Sequence, residues 1–243
     1  MHILSIEGNI GTGKSTIIKI IRDIIDKIKK NDLTNIDENI LKLLTRDKEG
    51  NYIYDNVEII TEPVDKWLEL TDDEDSENIL DKFYKNQERW SYSFQMNAFI
   101  TRAKDILECQ DKKLIILERS VLTDRNVFAK LLFKDKKIST LEWKLYNEWF
   151  NWLTSSFNIL PTKIIYLKAD PEISFNRIKK RSRKEESSIP FDYIKSVSDA
   201  HDNWLNNYYD LTTIDANLDF ENDKNRKKQV LTTIFNEIDK LSV

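Results

Sequence analysis

The chain has 243 residues, a mass of 28.9 kDa and 40% hydrophobic residues, enough for one large domain with a substantial core. Its residues are 33% charged with a formal net charge of -4, so it lacks the positive field of a non-specific nucleic-acid binder, and small molecules are its expected partners. A single cysteine excludes an intramolecular disulfide framework, and the opening MHILSIEG has no signal-peptide or membrane-anchor pattern, so we expect a cytoplasmic protein.

The first predicted strand, HILSI at 2–6, runs into a glycine-rich loop. Three of the four glycines in the chain lie between positions 8 and 13, and the stretch matches G-x-x-x-x-G-K-[ST]. Glycine is needed there because backbone N–H groups must approach a phosphate closely. A helix predicted over 16–29 follows and adds a favourable field for an anion. The predicted ATP-binding residues of this loop are Gly8, Asn9, Ile10, Gly11, Thr12, Gly13, Lys14, Ser15 and Thr16.

The polar stretch 31–56 is long for a connection between a helix and a strand. It contains one predicted short helix, with Ile40, Leu43 and Leu44 on one face, and a turn around Gly50. We interpret it as a surface insertion. No Pro/Gly/Ser-rich linker marks a domain boundary, so residues 1–243 are expected to form a single domain.

Four more β-branched apolar runs follow, separated by helical patterns, and none of them alternates cleanly between apolar and polar residues. This is typical of strands buried on both faces of a parallel sheet. We therefore predict an α/β, three-layer fold with a central five-stranded parallel sheet flanked by helices. The runs are VEIIT at 57–61, KLIILE at 113–118, KIIYLKA at 163–169 and LTTIDA at 211–216, and the longest amphipathic stretches are 78–109 and 139–158.

Charged residues come directly after the second and third predicted strands. Glu62 follows the second strand, and Glu118, Arg119, Asp124 and Arg125 follow the third. Ligands bind at the carboxyl edge of open parallel sheets, so these residues are candidates for catalysis. Charges placed after a buried strand could also form a structural ion-pair network.

A basic segment, RIKKRSRKEE, follows the fourth predicted strand. Its arginines Arg177, Arg181 and Arg183 could belong to an ordinary solvated helix end. In a phosphate-binding protein they are better interpreted as part of a lid, over 177–190, that closes on a transferring phosphoryl group.

Taken together, these motifs resemble the deoxynucleoside kinases of the deoxycytidine, deoxyguanosine and deoxyadenosine kinase type. The resemblance covers most of the chain apart from 31–56. It implies a P-loop kinase fold and transfer of the ATP γ-phosphate to the 5′-hydroxyl of a deoxynucleoside in nucleotide salvage. The motifs are IEGNIGTGKST, EPVDKW, ERWSYSFQ at 88–95, ERSVLTDRNVFA at 118–129, IPFDYI at 189–194 and DANLDF at 215–220.

The resemblance also implies roles for individual residues. Glu62 would act as general base on the 5′-hydroxyl, and Arg119 would orient it. Glu118 would support Mg²⁺ together with Ser15, while Lys14 and the lid arginines would neutralise the transferring group. The remaining implied ligand contacts are Tyr84 and Glu186 to the sugar, Trp67, Phe128 and Gln95 to the base, and Asp219 and Phe220 to the ATP adenine.

Arg102 and Asp124 resemble the pair found in the deoxycytidine and purine kinases rather than in thymidine-accepting members. We therefore expect deoxycytidine, deoxyadenosine or deoxyguanosine to be preferred over thymidine. The lid departs from the family pattern, because Ser182 stands where glycine is usual. By analogy, the helices within 78–109 and 139–158 predict a homodimer.

Two other functions remain as alternatives. A nucleoside monophosphate kinase of the thymidylate type would share the loop and lid, but Glu62 would repel its acceptor phosphate. A non-catalytic nucleotide-binding switch protein would need neither a general base nor lid arginines. The two histidines, His2 and His201, are too few and too scattered for a metal site. His201, within DAHDNWL, is expected on the surface of a helix.

Overall fold

The protein is described here from a computed structural model that covers residues 1–34, 36–181 and 189–242. All five strands pair in parallel, in the order β2-β3-β1-β4-β5. This confirms the predicted fold class, and each strand lies within one or two residues of its predicted position. The strands are β1 His2–Glu7, β2 Val57–Ile60, β3 Leu114–Glu118, β4 Lys163–Lys168 and β5 Leu211–Asp215.

Helices cover both faces of the sheet. Leu4 and Ile6 of β1 pack with helices α1 and α11, whereas Ile3 packs on the opposite side with α5 and α8. Because apolar helix residues cover both faces, neighbouring residues of β1 from Ile3 onward are all buried, which explains its apolar run. The helices are α1 Lys14–Lys29, α2 Glu38–Leu41, α3 Val64–Glu69, α4 Ile79–Lys85, α5 Gln87–Glu108, α6 Val121–Thr123, α7 Lys130–Lys134, α8 Thr140–Ser156, α9 Pro171–Arg181, α10 Phe191–Leu205 and α11 Lys224–Ser242, with a π-helical segment at Asp124–Ala129.

The amphipathic stretch 78–109 forms two helices rather than one. Helix α4 is capped by the Asn78 side chain, which accepts a hydrogen bond from the backbone N–H of Asp81 (2.8 Å). Asn86 ends α4 and caps α5 in the same way. Asparagine favours such caps because its short side chain competes for backbone hydrogen bonds, so the break is local in origin.

The segment 31–56, expected at the surface, also has a buried inner side. Tyr54 is fully buried and its hydroxyl donates to Asp239 of α11 (2.7 Å). Thr45 donates to the other oxygen of the same carboxylate (2.5 Å). The segment is thereby tied to the C-terminal helix and extends the core.

The structure contradicts the expected surface position of His201. Its imidazole is fully buried in α10 and lies parallel to the ring of Tyr166 at 6.0 Å. Burial lowers its pKa to about 3, so the side chain is neutral. Within the described ranges, no helix is both long and apolar enough to cross a bilayer.

Candidate active site

The glycine-rich loop lies between β1 and α1, and two of its glycines pack closely against α9 and Phe220. Gly11 and Gly13 have φ angles of +82° and +93°, in the region that L side chains rarely adopt. A Cβ on Gly11 would lie 2.4 Å from the carbonyl oxygen of Ser174 in α9, and one on Gly13 would lie 2.4 Å from Cζ of Phe220. Both positions therefore need glycine for space as well as for conformation.

Lys14 is buried at the start of α1. Its Nζ donates to the carbonyl oxygen of Asn9 (2.7 Å), and the Asn9 side chain donates to the Ile194 carbonyl of α10 (2.7 Å). Burial, followed by the nearby charge of Arg119, lowers the pKa of Lys14 to about 7. The ammonium is thus held in the centre of the loop, where an anionic group would stabilise its charged form.

Ser15 and Glu118 bring two hard oxygen ligands together beside this loop. The Ser15 hydroxyl donates to Oε1 of Glu118 at the end of β3 (2.5 Å). Mg²⁺ binds few protein oxygens and keeps water and phosphate ligands, so a hydroxyl with one carboxylate fits its preference. In the described part of the chain there is no group of three or more His, Cys, Asp or Glu that could hold a metal alone.

Glu62 lies between two arginines, two residues after the end of β2. Arg119 Nη1 contacts its two oxygens at 2.8 and 3.1 Å, and Arg102 Nη2 contacts one of them at 2.6 Å. Burial raises the pKa of Glu62, but the charges of Arg119, Arg102 and Lys14 outweigh it and hold this pKa at about 2. Glu62 is therefore an ionised carboxylate, and 20% of its side chain remains open to the cavity.

Arg102 of α5 joins Glu62 to Asp124. Its Nε donates to both Asp124 oxygens (2.9 and 3.2 Å) and its Nη1 donates to the Glu118 carbonyl (3.1 Å). Burial raises the pKa of Asp124 to about 6 although Arg102 lowers it. Asp124 begins the π-helical segment, a distortion frequent at functional sites.

A cavity of about 480 Å³ opens beside these charges and has mostly apolar walls. Trp67 forms one wall, with its ring edge-on to Phe94 at 5.3 Å, and Phe128 lies 5.2 Å beneath the Arg119 guanidinium. Gln95 is a buried residue of the lining, and its Oε1 has no hydrogen-bond partner among the described residues. Tyr84 lines the cavity and is 44% exposed.

The basic segment after β4 is only partly described. The guanidinium of Arg177, predicted to bind phosphate, instead donates to the carbonyl oxygens of Ala216 (2.6 Å) and Asn217 (3.0 Å). Arg181 lines the cavity at the end of α9. Arg183, Glu186 and Ser182 lie outside the described residues.

The two residues expected near the adenine differ in exposure. Phe220 is buried against Gly13, whereas Asp219 is exposed and accepts hydrogen bonds from Asn222. The Arg177 contacts hold the neighbouring loop after β5 against α9. Arg125, the last of the four charged residues predicted after β3, is not among the described residues that line the cavity, and its Nε donates to Asn147 of α8 (2.8 Å).

Tyr193 and Glu7 are two residues in or beside this site that sequence reasoning missed. Tyr193 of α10 lines the cavity, and IPFDYI contains it without any local sign of a binding role. Glu7 is fully buried at the end of β1, where a lone carboxylate in an apolar strand was the available signal.

Comparison with known proteins gives one consistent result. The deoxynucleoside kinase family model matches residues 50–239. The probable deoxycytidine kinase of Fowlpox virus (strain NVSL) is 34% identical, with 99% of this chain and 89% of that protein covered. The Rattus norvegicus deoxycytidine kinase is 31% identical (90% and 85% covered), and the mitochondrial deoxyguanosine kinase of Xenopus laevis is 30% identical (91% and 77% covered). The chain therefore belongs to the deoxynucleoside kinase family of ATP-dependent phosphotransferases.

Proposed function

We propose that this enzyme transfers the γ-phosphate of ATP to the 5′-hydroxyl of deoxycytidine, deoxyadenosine or deoxyguanosine in preference to thymidine, as a step of nucleotide salvage. The observation that carries the proposal is the position of Glu62. Its carboxylate lines the same cavity as Lys14 of the glycine-rich loop and the aromatic side chain of Trp67, and it is held by Arg119 and Arg102. A nucleoside whose 5′-hydroxyl met the open face of Glu62 would direct that hydroxyl at the phosphates held by the glycine-rich loop, with its base in the cavity.

Glu62 is proposed to accept the 5′-hydroxyl proton as the oxygen bonds to the γ-phosphorus. The bond from that phosphorus to the bridging oxygen breaks, and its electron pair leaves on ADP. A carboxylate with a pKa of about 2 is a weak base, which suits a loose transition state in which the nucleophile loses its proton late.

The nucleotide side of the site needs extra positive charge. The described cavity lining has equal numbers of basic and acidic side chains, so it has no excess charge to balance a triphosphate. The basic ones are Lys14, Arg102, Arg119 and Arg181, and the acidic ones are Glu62, Glu118, Asp124 and Asp135. Lys14, Arg181 and Arg183 are proposed to contact the phosphates.

A divalent metal is implied by the use of ATP in this family, and we propose Mg²⁺. Ser15 and Glu118 would hold it, because they place a hydroxyl and a carboxylate beside the loop. When bound, the ion would neutralise charge on the β- and γ-phosphates.

Base selection is proposed to come from the polar end of the cavity. Gln95 offers an unpaired amide oxygen in a buried position, and the Arg102–Asp124 pair presents fixed polarity next to it. A buried group left unpaired by the wrong base is penalised more strongly than a missing apolar contact. Trp67 and Phe128 would enclose the base, and Tyr84 with Glu186 would contact the sugar.

The proposal is tested by steady-state phosphorylation of the four deoxynucleosides, with dTMP as a fifth acceptor, using ATP and Mg²⁺. Glu62→Gln is expected to lower kcat by about 10²-fold or more with the leading deoxynucleoside. Glu69→Gln is the matched control, because Glu69 is an exposed residue at the end of α3. A lead for thymidine or dTMP, or an unchanged kcat in Glu62→Gln, would contradict the proposal.

We also propose a homodimer formed through α8. Leu141, Leu145, Trp149 and Trp152 are exposed at spacings of four, four and three residues, which places them on one face of this helix. Trp149→Glu is expected to give a monomer by light scattering at the concentration where the wild type is a dimer. Asn151→Glu is the control, because Asn151 is exposed on the same helix away from that face. A monomeric wild type would refute the dimer.

A further inference from the structure

Glu7 is a fully buried carboxylate that the reaction scheme above does not use. It is the last residue of β1 and directly precedes the glycine-rich loop. Its Oε1 accepts hydrogen bonds from the Ser5 hydroxyl (2.6 Å), the Ser120 backbone N–H (2.8 Å) and the Ser120 hydroxyl (2.6 Å). Its Oε2 accepts one from the Thr123 hydroxyl. Four donors therefore converge on one side chain that no cation contacts in the described part of the chain.

These partners surround the turn that carries Arg119. Ser120 follows Arg119 directly, and the N–H of Arg119 itself donates to the carbonyl of Ile6 (3.1 Å), the residue before Glu7. The turn after β3 is thus docked on the end of β1 by consecutive backbone N–H groups, one received by a backbone carbonyl and the next by the Glu7 carboxylate.

Arg119 needs such support because of its backbone conformation. Its φ angle is +64°, in the left-handed region that is unfavourable for a residue with a side chain. Conformations of this kind persist at functional sites only where the surrounding structure over-determines them. The Glu7 hydrogen bonds to Ser120 and Thr123 provide that constraint on the C-terminal side of Arg119.

Apart from its packing over the Phe128 ring, the guanidinium of Arg119 has few restraints beyond the turn. Its Nη1 contacts Glu62, its Nη2 lies 3.5 Å from the carbonyl oxygen of Gly8, and its Nε has no partner among the described residues. The direction of the side chain toward Glu62 therefore depends on where the backbone of the turn is placed.

We propose that Glu7 is a positioning residue that fixes this turn and thereby aims Arg119 at Glu62 and the reacting 5′-oxygen. The inference rests on the acceptor-side role proposed above for Arg119. This positioning role requires hydrogen-bond acceptor oxygens at position 7 and does not require the negative charge of the carboxylate. A glutamine can keep the three hydrogen bonds at Oε1 and donate its amide to Thr123, whose hydroxyl can turn to accept it.

The test compares Glu7→Met, which has similar length without the acceptors, with Glu7→Gln. Glu7→Met is expected to lower kcat by about 30-fold or more while the dissociation constant for ADP changes by less than about threefold. Glu7→Gln is expected to keep kcat within about threefold of the wild type. An ADP affinity that falls in parallel with kcat would mean that Glu7 only supports the glycine-rich loop, and would overturn the inference.

A double-mutant cycle with Arg119→Lys separates positioning from general destabilisation. In the Arg119→Lys background, Glu7→Met is expected to lower kcat by no more than about twofold further. Additive losses would overturn the inference. If Arg119→Lys alone retains wild-type kcat, the proposed role of Arg119 fails first and this inference fails with it. Asp239→Asn is the remote control, because that carboxylate also accepts two hydroxyl hydrogen bonds.

If Glu7→Met does not fold, the double variant Ser120→Ala/Thr123→Val replaces it. This variant removes two hydroxyl donors and leaves the carboxylate bonded to Ser5 and to the Ser120 N–H. It is expected to lower kcat by about fivefold, and to have no further effect in the Arg119→Lys background. A kcat within about 1.5-fold of the wild type would overturn the inference.

Discussion

Replacing Arg102 with methionine should destabilise the protein strongly and in a pH-dependent way. The Arg102 guanidinium contacts Glu62 at 2.6 Å, Asp124 at 2.9 and 3.2 Å and the Glu118 carbonyl at 3.1 Å. In Arg102→Met, Glu62 keeps its contacts with Arg119. Asp124 is 2% exposed and is left without a cation in contact, so it accounts for most of the effect.

The expected loss in unfolding free energy is about 3 kcal/mol at neutral pH, toward the lower end for removal of one partner from a buried ion pair. Asp124 limits the penalty by taking up a proton. Burial already raises its pKa from 3.8 to about 6 while Arg102 opposes that rise, and without Arg102 the pKa is higher still. A folded-state pKa above the unfolded value means that stability falls as the pH rises between the two. The variant should therefore lose less stability near pH 5 than near pH 8.

Urea unfolding followed by far-UV circular dichroism at these two pH values measures the effect. Arg102→Met/Asp124→Leu should recover part of the loss, because the uncompensated carboxylate is gone. Lys66→Met is the control, since it removes a more exposed ion pair with Asp105 and should change stability by less than about 1 kcal/mol. A loss below about 1 kcal/mol for Arg102→Met, or equal losses at both pH values, would refute the reasoning.

Three further outcomes are expected. Because burial lowers the pKa of Lys14 to about 7, ADP binding near pH 8.5 should take up about one proton and weaken as the pH rises, and calorimetry in two buffers that shows no proton uptake would argue against this. Gly13→Ala should weaken ADP binding by about tenfold or more, since its Cβ would lie 2.4 Å from Phe220 Cζ at a φ of +93°, and an unchanged dissociation constant would count against that packing. Tyr54→Phe loses a 2.7 Å hydrogen bond to Asp239 and should lower the unfolding free energy by about 1 kcal/mol with kcat unchanged, so a drop in kcat would contradict a purely structural role.

The sequence alone predicted a five-stranded parallel sheet and located the ends of its strands, but the strand order came from the structure. The apolar runs located all five strands, but the burial on both faces that they predict holds only for the inner strands β3, β1 and β4. The edge strands β2 and β5 are only partly buried, because each has a neighbouring strand on one side alone. The glycine-rich loop is equally local, because its glycines, Lys14 and Ser15 must be adjacent to form it. Glu62 and Arg119 could be placed at one edge of the sheet, since parallel strands end on the same side.

The tertiary structure decided which of these side chains meet. Arg102 lies within the long helix α5, and its guanidinium contacts Glu62 and Asp124 because of where α5 packs in the fold. The spacing of apolar residues along the sequence does not predict these contacts. His201 has ordinary helical spacing, yet the packing of α10 buries it completely. Arg177 belongs to a basic segment of the sequence, but in the structure its guanidinium donates hydrogen bonds to backbone carbonyls of the loop after β5. Sequence patterns report backbone geometry and local burial, whereas the partner of a charged side chain depends on how distant elements close around it.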